Sequence, residues 1–254
     1  MTRPSIAVVV AVLTAAAATS HAGSNPHLVA IDSSRAFSEI DAATGAKTPL
    51  GTASANAATT AGLAVGPSNV VYLSSTTNDS LYTLDLLTGT ATLVGAYGDP
   101  AIVMHGLEYV PSTGTLYGAS SHNGGLYVID QSTGAATLVG TSGLTSFTNL
   151  GWNSATGVMY ATNSGTDGLY TMDLATGAAT PVGPLLGPTN PNGLAFHPII
   201  GSLFLVDNST DTLYTLNLAT GAATPVGSTG AGNLLGLAYV DGQVPVELTG
   251  FAVE

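Results

Sequence analysis

Short apolar runs broken by turn residues recur along the chain from about residue 27 onward, and they return on a fixed beat. One period holds GLAF at 193–196, LFLV at 203–206, LYTLN at 213–217 and ATPV at 223–226, each bounded by Gly, Pro, Asn, Asp, Ser or Thr. Runs of this length, rich in Tyr, Val, Leu and Thr, read as β-strands. Helical periodicity is absent outside the N-terminal segment, so each period predicts four strands and no helix.

Two motifs set the period. A D-x-x-T-G core occupies 41–45, 85–89, 130–134 and 173–177, and returns with Asn217 in place of Asp at 217–221, in steps of 44, 45, 43 and 44 residues. An aromatic precedes each copy: Phe37, Tyr82, Tyr127, Tyr170 and Tyr214. The second motif reads AGLAVGP from Ala61, HGLEYVP from His105, TNLGWNS from Thr148, NGLAFHP from Asn192 and LGLAYVD from Leu235. Residues 169–183 and 213–227 differ only at Met172/Leu216 and Asp173/Asn217, the mark of internal duplication.

The Asp of each core suits a turn cap, its carboxylate accepting from backbone N–H groups two or three residues on, and the Gly supplies a positive φ. Pro49, Pro181 and Pro225 fall in the fourth strand, which marks it as a sheet edge. The third motif position of the first strand is small in four copies (Ala64, Gly151, Ala195, Ala238), as a crowded axis requires. The first period lacks a first strand, and the chain supplies a lone one at 236–240. The expected fold is therefore all-β: a five-bladed β-propeller of four-stranded blades, closed by a C-terminal first-position strand that completes the first blade. The expected boundaries are a signal peptide at 1–22, the propeller at 23–243 and a C-terminal tail at 244–254.

At these motifs the chain resembles the repeats of secreted bacterial β-propellers, the YVTN and pyrroloquinoline-quinone-type classes, over roughly residues 27–240. The carrying residues are the L-Y-x-(L/I/M)-D-x-x-T-G cores and the G-L-A-x-x-P strands. The quinone-type pattern adds a Lys and a docking Trp after T-G. Here Ala178, Ala179 and Thr180 follow Thr176-Gly177, and Trp152 lies in a first strand, so the quinone site is not carried over. The tail at 244–251 resembles short C-terminal segments of exported bacterial proteins, with an extra strand on the first blade as the alternative.

Composition narrows the partners. Arg3, the apolar stretch at 6–18 and Ser20-His21-Ala22 read as an export signal cleaved after Ala22. The mature protein is then expected outside the cytoplasm: secreted, periplasmic or at the cell surface, with no membrane insertion. After cleavage Arg35 and Lys47 face fifteen acidic residues, which excludes nucleic acid and disfavours anionic ligands. There is no cysteine, so closure rests on strand pairing. A monomer is expected.

Loops sort onto two faces, and the face with fourth-to-first and second-to-third connections is the irregular one, where binding residues belong. Its candidates are Asp99, His105, Asn149, Asn192, His122 and Asp207, with Tyr97 among the polar groups there; His105 and Asn192 open first-strand motifs at the expected channel mouth. Glu108 takes the slot that is Ala or Gly in the other copies, and alternation aims it at the axis, where a lone carboxylate needs a partner. His105, His122 and His197 look dispersed, no G-x-S-x-G elbow occurs, and Glu108 has no facing carboxylate. No catalytic or metal-ligating residue is assigned and no cofactor is expected, calcium at the acidic loops being the one alternative left open. These readings favour a non-catalytic binding module for a glycan or an extracellular protein over an enzyme. The alternative is an extracellular hydrolase or lactonase-like enzyme at the channel mouth, centred on His105 and Glu108.

Overall fold

The structure is a computed structural model, and it describes residues 27–242. The expected signal peptide at 1–22 and the expected tail at 244–254 lie outside the described residues. Twenty strands are present among them. They are β1 (His27–Asp32), β2 (Ala36–Ile40) and β3 (Lys47–Thr52); β4 (Thr60–Val65), β5 (Val71–Ser75), β6 (Ser80–Leu84) and β7 (Ala91–Ala96); β8 (Met104–Val110), β9 (Thr115–Ser120), β10 (Gly125–Ile129) and β11 (Ala136–Thr141); β12 (Phe147–Asn153), β13 (Val158–Asn163), β14 (Gly168–Met172) and β15 (Ala179–Pro184); and β16 (Pro191–His197), β17 (Ser202–Asp207), β18 (Thr212–Leu216), β19 (Ala223–Ser228) and β20 (Leu234–Val240).

These strands form five antiparallel four-stranded sheets, and the sheet holding the N-terminal strands runs β20-β1-β2-β3. The C-terminal β20 pairs with β1 from His27↔Val240 to Asp32↔Leu234, which closes the first blade. The first-position strands β4, β8, β12, β16 and β20 each touch the next in a closed ring. The fold is a five-bladed β-propeller.

Stability comes from the spaces between blades. The described residues hold five apolar clusters, each shared by two adjacent sheets. In β1, Val29 and Ile31 join the cluster with Leu63 and Leu73, whereas Leu28 and Ala30 join the one with Phe204 and Leu213. Alternation thus sends successive side chains into two cores, and inner strands read as unbroken apolar runs because both faces are buried. The outer strands β3, β7, β11, β15 and β19 consist almost wholly of exposed and half-buried positions, and Pro49, Pro181 and Pro225 sit on them as expected.

The Asp caps are in place. In the turn after β14, Asp173 Oδ1 accepts from the N–H groups of Ala175 at 2.7 Å and Thr176 at 3.1 Å, and Asn217 does the same for Ala219 at 2.9 Å and Thr220 at 3.1 Å. The Gly of the core has a second duty beyond its positive φ. At Gly134 (φ +77°) a Cβ would lie 2.3 Å from the Gly95 carbonyl oxygen of the preceding blade, and Gly45 meets Gly227 in the same way across the chain closure. The repeat therefore encodes blade-to-blade contact as well as the local turn.

The structure corrects two details. The first strands start earlier than the sequence suggests, β16 at Pro191 rather than Gly193, because a bulge interrupts their alternation. Tyr97 is 1% exposed and belongs to a core cluster rather than to the polar loop face: apolar packing around its ring outweighs its polar tip.

Candidate functional site

The bulges build the site. In β8 the pairing steps from Met104↔Ser120 to Gly106↔Ala119 and leaves His105 without a counterpart. Thr148 is left over in β12, Leu235 in β20, and Asn192 with Gly193 faces one residue in β16. β4 has the same irregularity at Ala61 and Gly62. A bulge re-aims the extra side chain, and here it acts on the opening residue of the second sequence motif in every blade. His105, Thr148, Asn192 and Leu235 accordingly line one open cavity of about 390 Å³ at the channel mouth, joined by Ser121, His122, Ser146, Ser164, Asn190 and Asn233 from the loops above. No carboxylate, lysine or arginine lines it among the described residues.

His105 is the chemical centre of this cavity. Its Nδ1 lies 2.7 Å from Ser121 Oγ, and Ser121 Oγ lies 3.4 Å from the Val103 carbonyl oxygen, to which it can donate. With the Ser121 proton directed at that carbonyl, Ser121 accepts from Nδ1–H and the lone pair of His105 is left on Nε2. Burial lowers the His105 pKa below its ordinary value, which favours the neutral ring with a free lone pair. Asn190 is held by Asp207, whose Oδ2 accepts from its N–H at 2.7 Å, and Asn192 Nδ2 donates to the Asn190 carbonyl at 3.0 Å. Thr148 Oγ1 donates to the Pro191 carbonyl at 2.7 Å and ties the fourth blade to the fifth under the cavity.

The sequence-derived candidates separate into groups. His105, His122 and Asn192 meet in the cavity. Asp207 is buried below it as a loop cap, its Oδ1 accepting from Ser209, Thr210 and the Thr210 hydroxyl. Asp99 is an exposed turn cap on Ala101, and Asn149 is buried beside Gly106 between blades. His197 sits at the far end of β16, its ring 4.8 Å from that of Tyr239.

Glu108 occupies the opposite end of the axis. It lines a second cavity of about 200 Å³ with Tyr109, Trp152, Ala195, Phe196, Ala238 and Tyr239, to which all five blades contribute. Glu108 Oε1 accepts from Tyr109 N–H at 3.0 Å and Oε2 from Trp152 N–H at 3.1 Å. Burial pushes its carboxyl up to about 8, and the two N–H donors offset this only in part. Part of its surface is open to the cavity, so water there moderates the penalty below the dry limit.

Ser121 and Ser164 were missed by the sequence reading. Each is the residue immediately after a second strand, a position that the 44-residue beat makes identifiable once the repeats are aligned.

A family model described as a repeat of unknown function (DUF6923) matches residues 111–229, from the turn after β8 to the turn after β19. No curated protein matches the chain. Among solved structures, the chain is similar to a catalytically inactive histidine-to-alanine variant of virginiamycin B lyase from Staphylococcus aureus, with quinupristin (12% identity, 84% of this chain, 73% of that chain, TM-score 0.52). It is also similar to a chain of the nidogen/laminin complex (13% identity, 85% and 98% covered, TM-score 0.60). A third match is a symmetrical protein of de novo evolutionary emergence (20% identity, 84% and 98% covered, TM-score 0.58). At these identities the likeness is one of fold.

The expectation of a non-catalytic binding module, with no enzymatic activity favoured, is corrected here. It rested on dispersed histidines, the lack of a G-x-S-x-G elbow and a lone axial carboxylate, Glu108. The bulge of β8 and the loop after β9 bring His105, Ser121 and His122 to one open cavity, and solved chains of similar fold include virginiamycin B and streptogramin B lyases.

Proposed function

We propose that the protein is an enzyme acting at the channel mouth, with His105 as general base in a lyase-type elimination on a small, uncharged ester. The carrying observation is the neutral His105, oriented by Ser121 at 2.7 Å and facing an open cavity without charged walls. Nε2 takes a proton from the carbon next to the one bearing the ester oxygen. The C–H electrons form a carbon–carbon double bond, the C–O bond breaks, and the carboxylate leaves with its electron pair. Asn190, Asn192 and Asn233 offer polar groups to hold the ester without adding charge. The lyases among the solved chains of this fold, one of them inactivated by loss of a histidine, support the reading by analogy only. The N-terminal export pattern and the resemblance to YVTN-type repeats support an action outside the cytoplasm.

The same 2.7 Å contact supports a second reading. If the Ser121 hydroxyl donates to Nδ1, Ser121 is the activated nucleophile and the reaction is hydrolysis. A panel of neutral cyclic esters followed by mass spectrometry separates the two. Elimination opens the ring with unchanged mass and a new alkene absorbance; hydrolysis adds one water. We expect unchanged mass, loss of turnover by at least about 100-fold in His105→Gln, and a pH–rate profile that falls on the acid side with a midpoint below about 6.5, the ordinary histidine value. Turnover that survives in His105→Gln would sink both readings.

A further inference from the structure

The axial cavity opposite the His105 mouth presents an unusual set of walls. Four of its rings, Tyr109, Trp152, Phe196 and Tyr239, come from four strands, β8, β12, β16 and β20. Its one ionisable carboxyl group is Glu108, at a slot where the other inner strands place Ala64, Gly151, Ala195 and Ala238. The Glu108 carboxylate is met by two backbone N–H groups, and neither basic side chain of the described residues approaches it: Lys47 Nζ donates to the Ala231 carbonyl at 2.8 Å, and Arg35 donates to the carbonyls of Ala53 and Ala58. A metal ion would find one carboxylate and no histidine in this cavity, and the described residues hold no cluster of three His, Cys, Asp or Glu. Aromatic rings attract cations by their quadrupole, and a buried carboxylate gains most from a counter-ion that is itself weakly hydrated.

We infer that this cavity binds a small organic cation of the alkylammonium class, paired with the Glu108 carboxylate and enclosed by Tyr109, Trp152, Phe196 and Tyr239. The site lies at the other end of the inner strands from His105 and is independent of the proposed reaction. Its volume of about 200 Å³ admits a tetramethylammonium-sized head and no large ligand. The titratable groups that line the cavity with Glu108 are Tyr109 on its own strand and Tyr239 on β20; behind Tyr239 stand Asp241, which adds to burial in raising the Tyr239 pKa, and His197, whose ring packs on it. Burial pushes the Glu108 carboxyl up to about 8, so a cation competes with its proton at neutral pH. The ionised fraction rises from about one-tenth at pH 7 to about nine-tenths at pH 9, so affinity should rise about tenfold.

Trp152 is the chain's one tryptophan and lines the cavity, which makes its fluorescence a local reporter. Tetramethylammonium chloride is titrated into the full-length protein at pH 7 and pH 9, with tert-butanol as a neutral probe of similar shape. We expect a saturable Trp152 response to the cation, about tenfold tighter at pH 9, no saturable response to tert-butanol, and at least about tenfold weaker binding in Glu108→Gln. Phe196→Leu, which keeps the carboxylate, should bind at least about threefold more weakly and decides the matter should Glu108→Gln fail to fold. Absence of saturation at pH 9, equal response to tert-butanol, saturation by calcium instead of tetramethylammonium, or unchanged affinity in either variant overturns the assignment.

Discussion

Closure of the ring by the C-terminal strand yields a sharp test. Leu194 in β16 and Leu237 in β20 hold the same position of the first-strand motif, one in mid-chain and one near the end. Leu194 is 1% exposed in the core between the fourth and fifth sheets; Leu237 is 2% exposed in the core between the fifth and first sheets, with Leu28, Phe204 and Leu213. Truncating a fully buried leucine to alanine costs about 3 kcal/mol, from lost transfer energy and the cavity left behind. In a domain of this size each kcal/mol lowers Tm by about 2–4 °C, so each variant should melt about 6–12 °C below the parent. Urea melts and thermal scans followed by far-UV circular dichroism give both numbers. The two variants should agree within about 0.5 kcal/mol, and Leu186→Ala, at 72% exposure, should change stability by less than that. A Leu237→Ala cost near zero beside a full Leu194→Ala cost would mean that β20 does not seal the ring in solution, and the closure argument would fail.

Other expectations follow from single contacts. Gly134→Ala puts a Cβ 2.3 Å from the Gly95 carbonyl at a positive φ, so it should destabilise by about 2 kcal/mol or more in a denaturant melt, whereas Gly143→Ala, with nothing within 4 Å, should show only the conformational part. Asp41, Asp85 and Asp130 have lowered carboxyl pKa values: burial raises Asp41 but its N–H donors prevail, the Leu87 and Thr88 N–H groups lower Asp85, and the Ser132 hydroxyl with the Ser132 and Thr133 N–H groups lowers Asp130. Their stabilisation is full above the unfolded value near 4 and lost as pH falls through the folded values; changing all three to Asn, as position 217 already has, should flatten that acid limb of a stability–pH curve. Glu108 has the opposite sign. Its folded pKa of about 8 lies above the unfolded value, so its contribution is full below about pH 4 and is lost as pH rises to 8; Glu108→Gln should remove that slope and melt higher than the parent at pH 9.

The repeat was legible in the chain because its reasons are local. The turn cap at Asp173, the prolines of the outer strands and the count of complementary strand sets each follow from chemistry within a few residues, and β1 and β20 have no other blade to join. The candidate site was legible only in part. His105 and Asn192 stand out by their place at the opening of the first-strand motif, but nothing local marks Ser121, since its meaning depends on the His105 ring 2.7 Å away.

Primary structure alone thus dictated the number of blades, their four-strand make-up, the edge strands and the closing segment, because a period of short-range turns and alternation leaves few other ways to bury the apolar positions. The folded ring decided the chemistry. Bulges that shift register by one residue are invisible to alternation, yet they turn His105, Thr148, Asn192 and Leu235 into one cavity. The ring also decided that Asp207 is a buried brace, and that Glu108 and His105, three positions apart on β8, face opposite ends of the axis. Which side chains share a cavity depends on blades distant in sequence meeting at the centre, whereas the His105–Ser121 contact that sets a proton's place is made within one blade, where the β8 bulge faces the loop after β9.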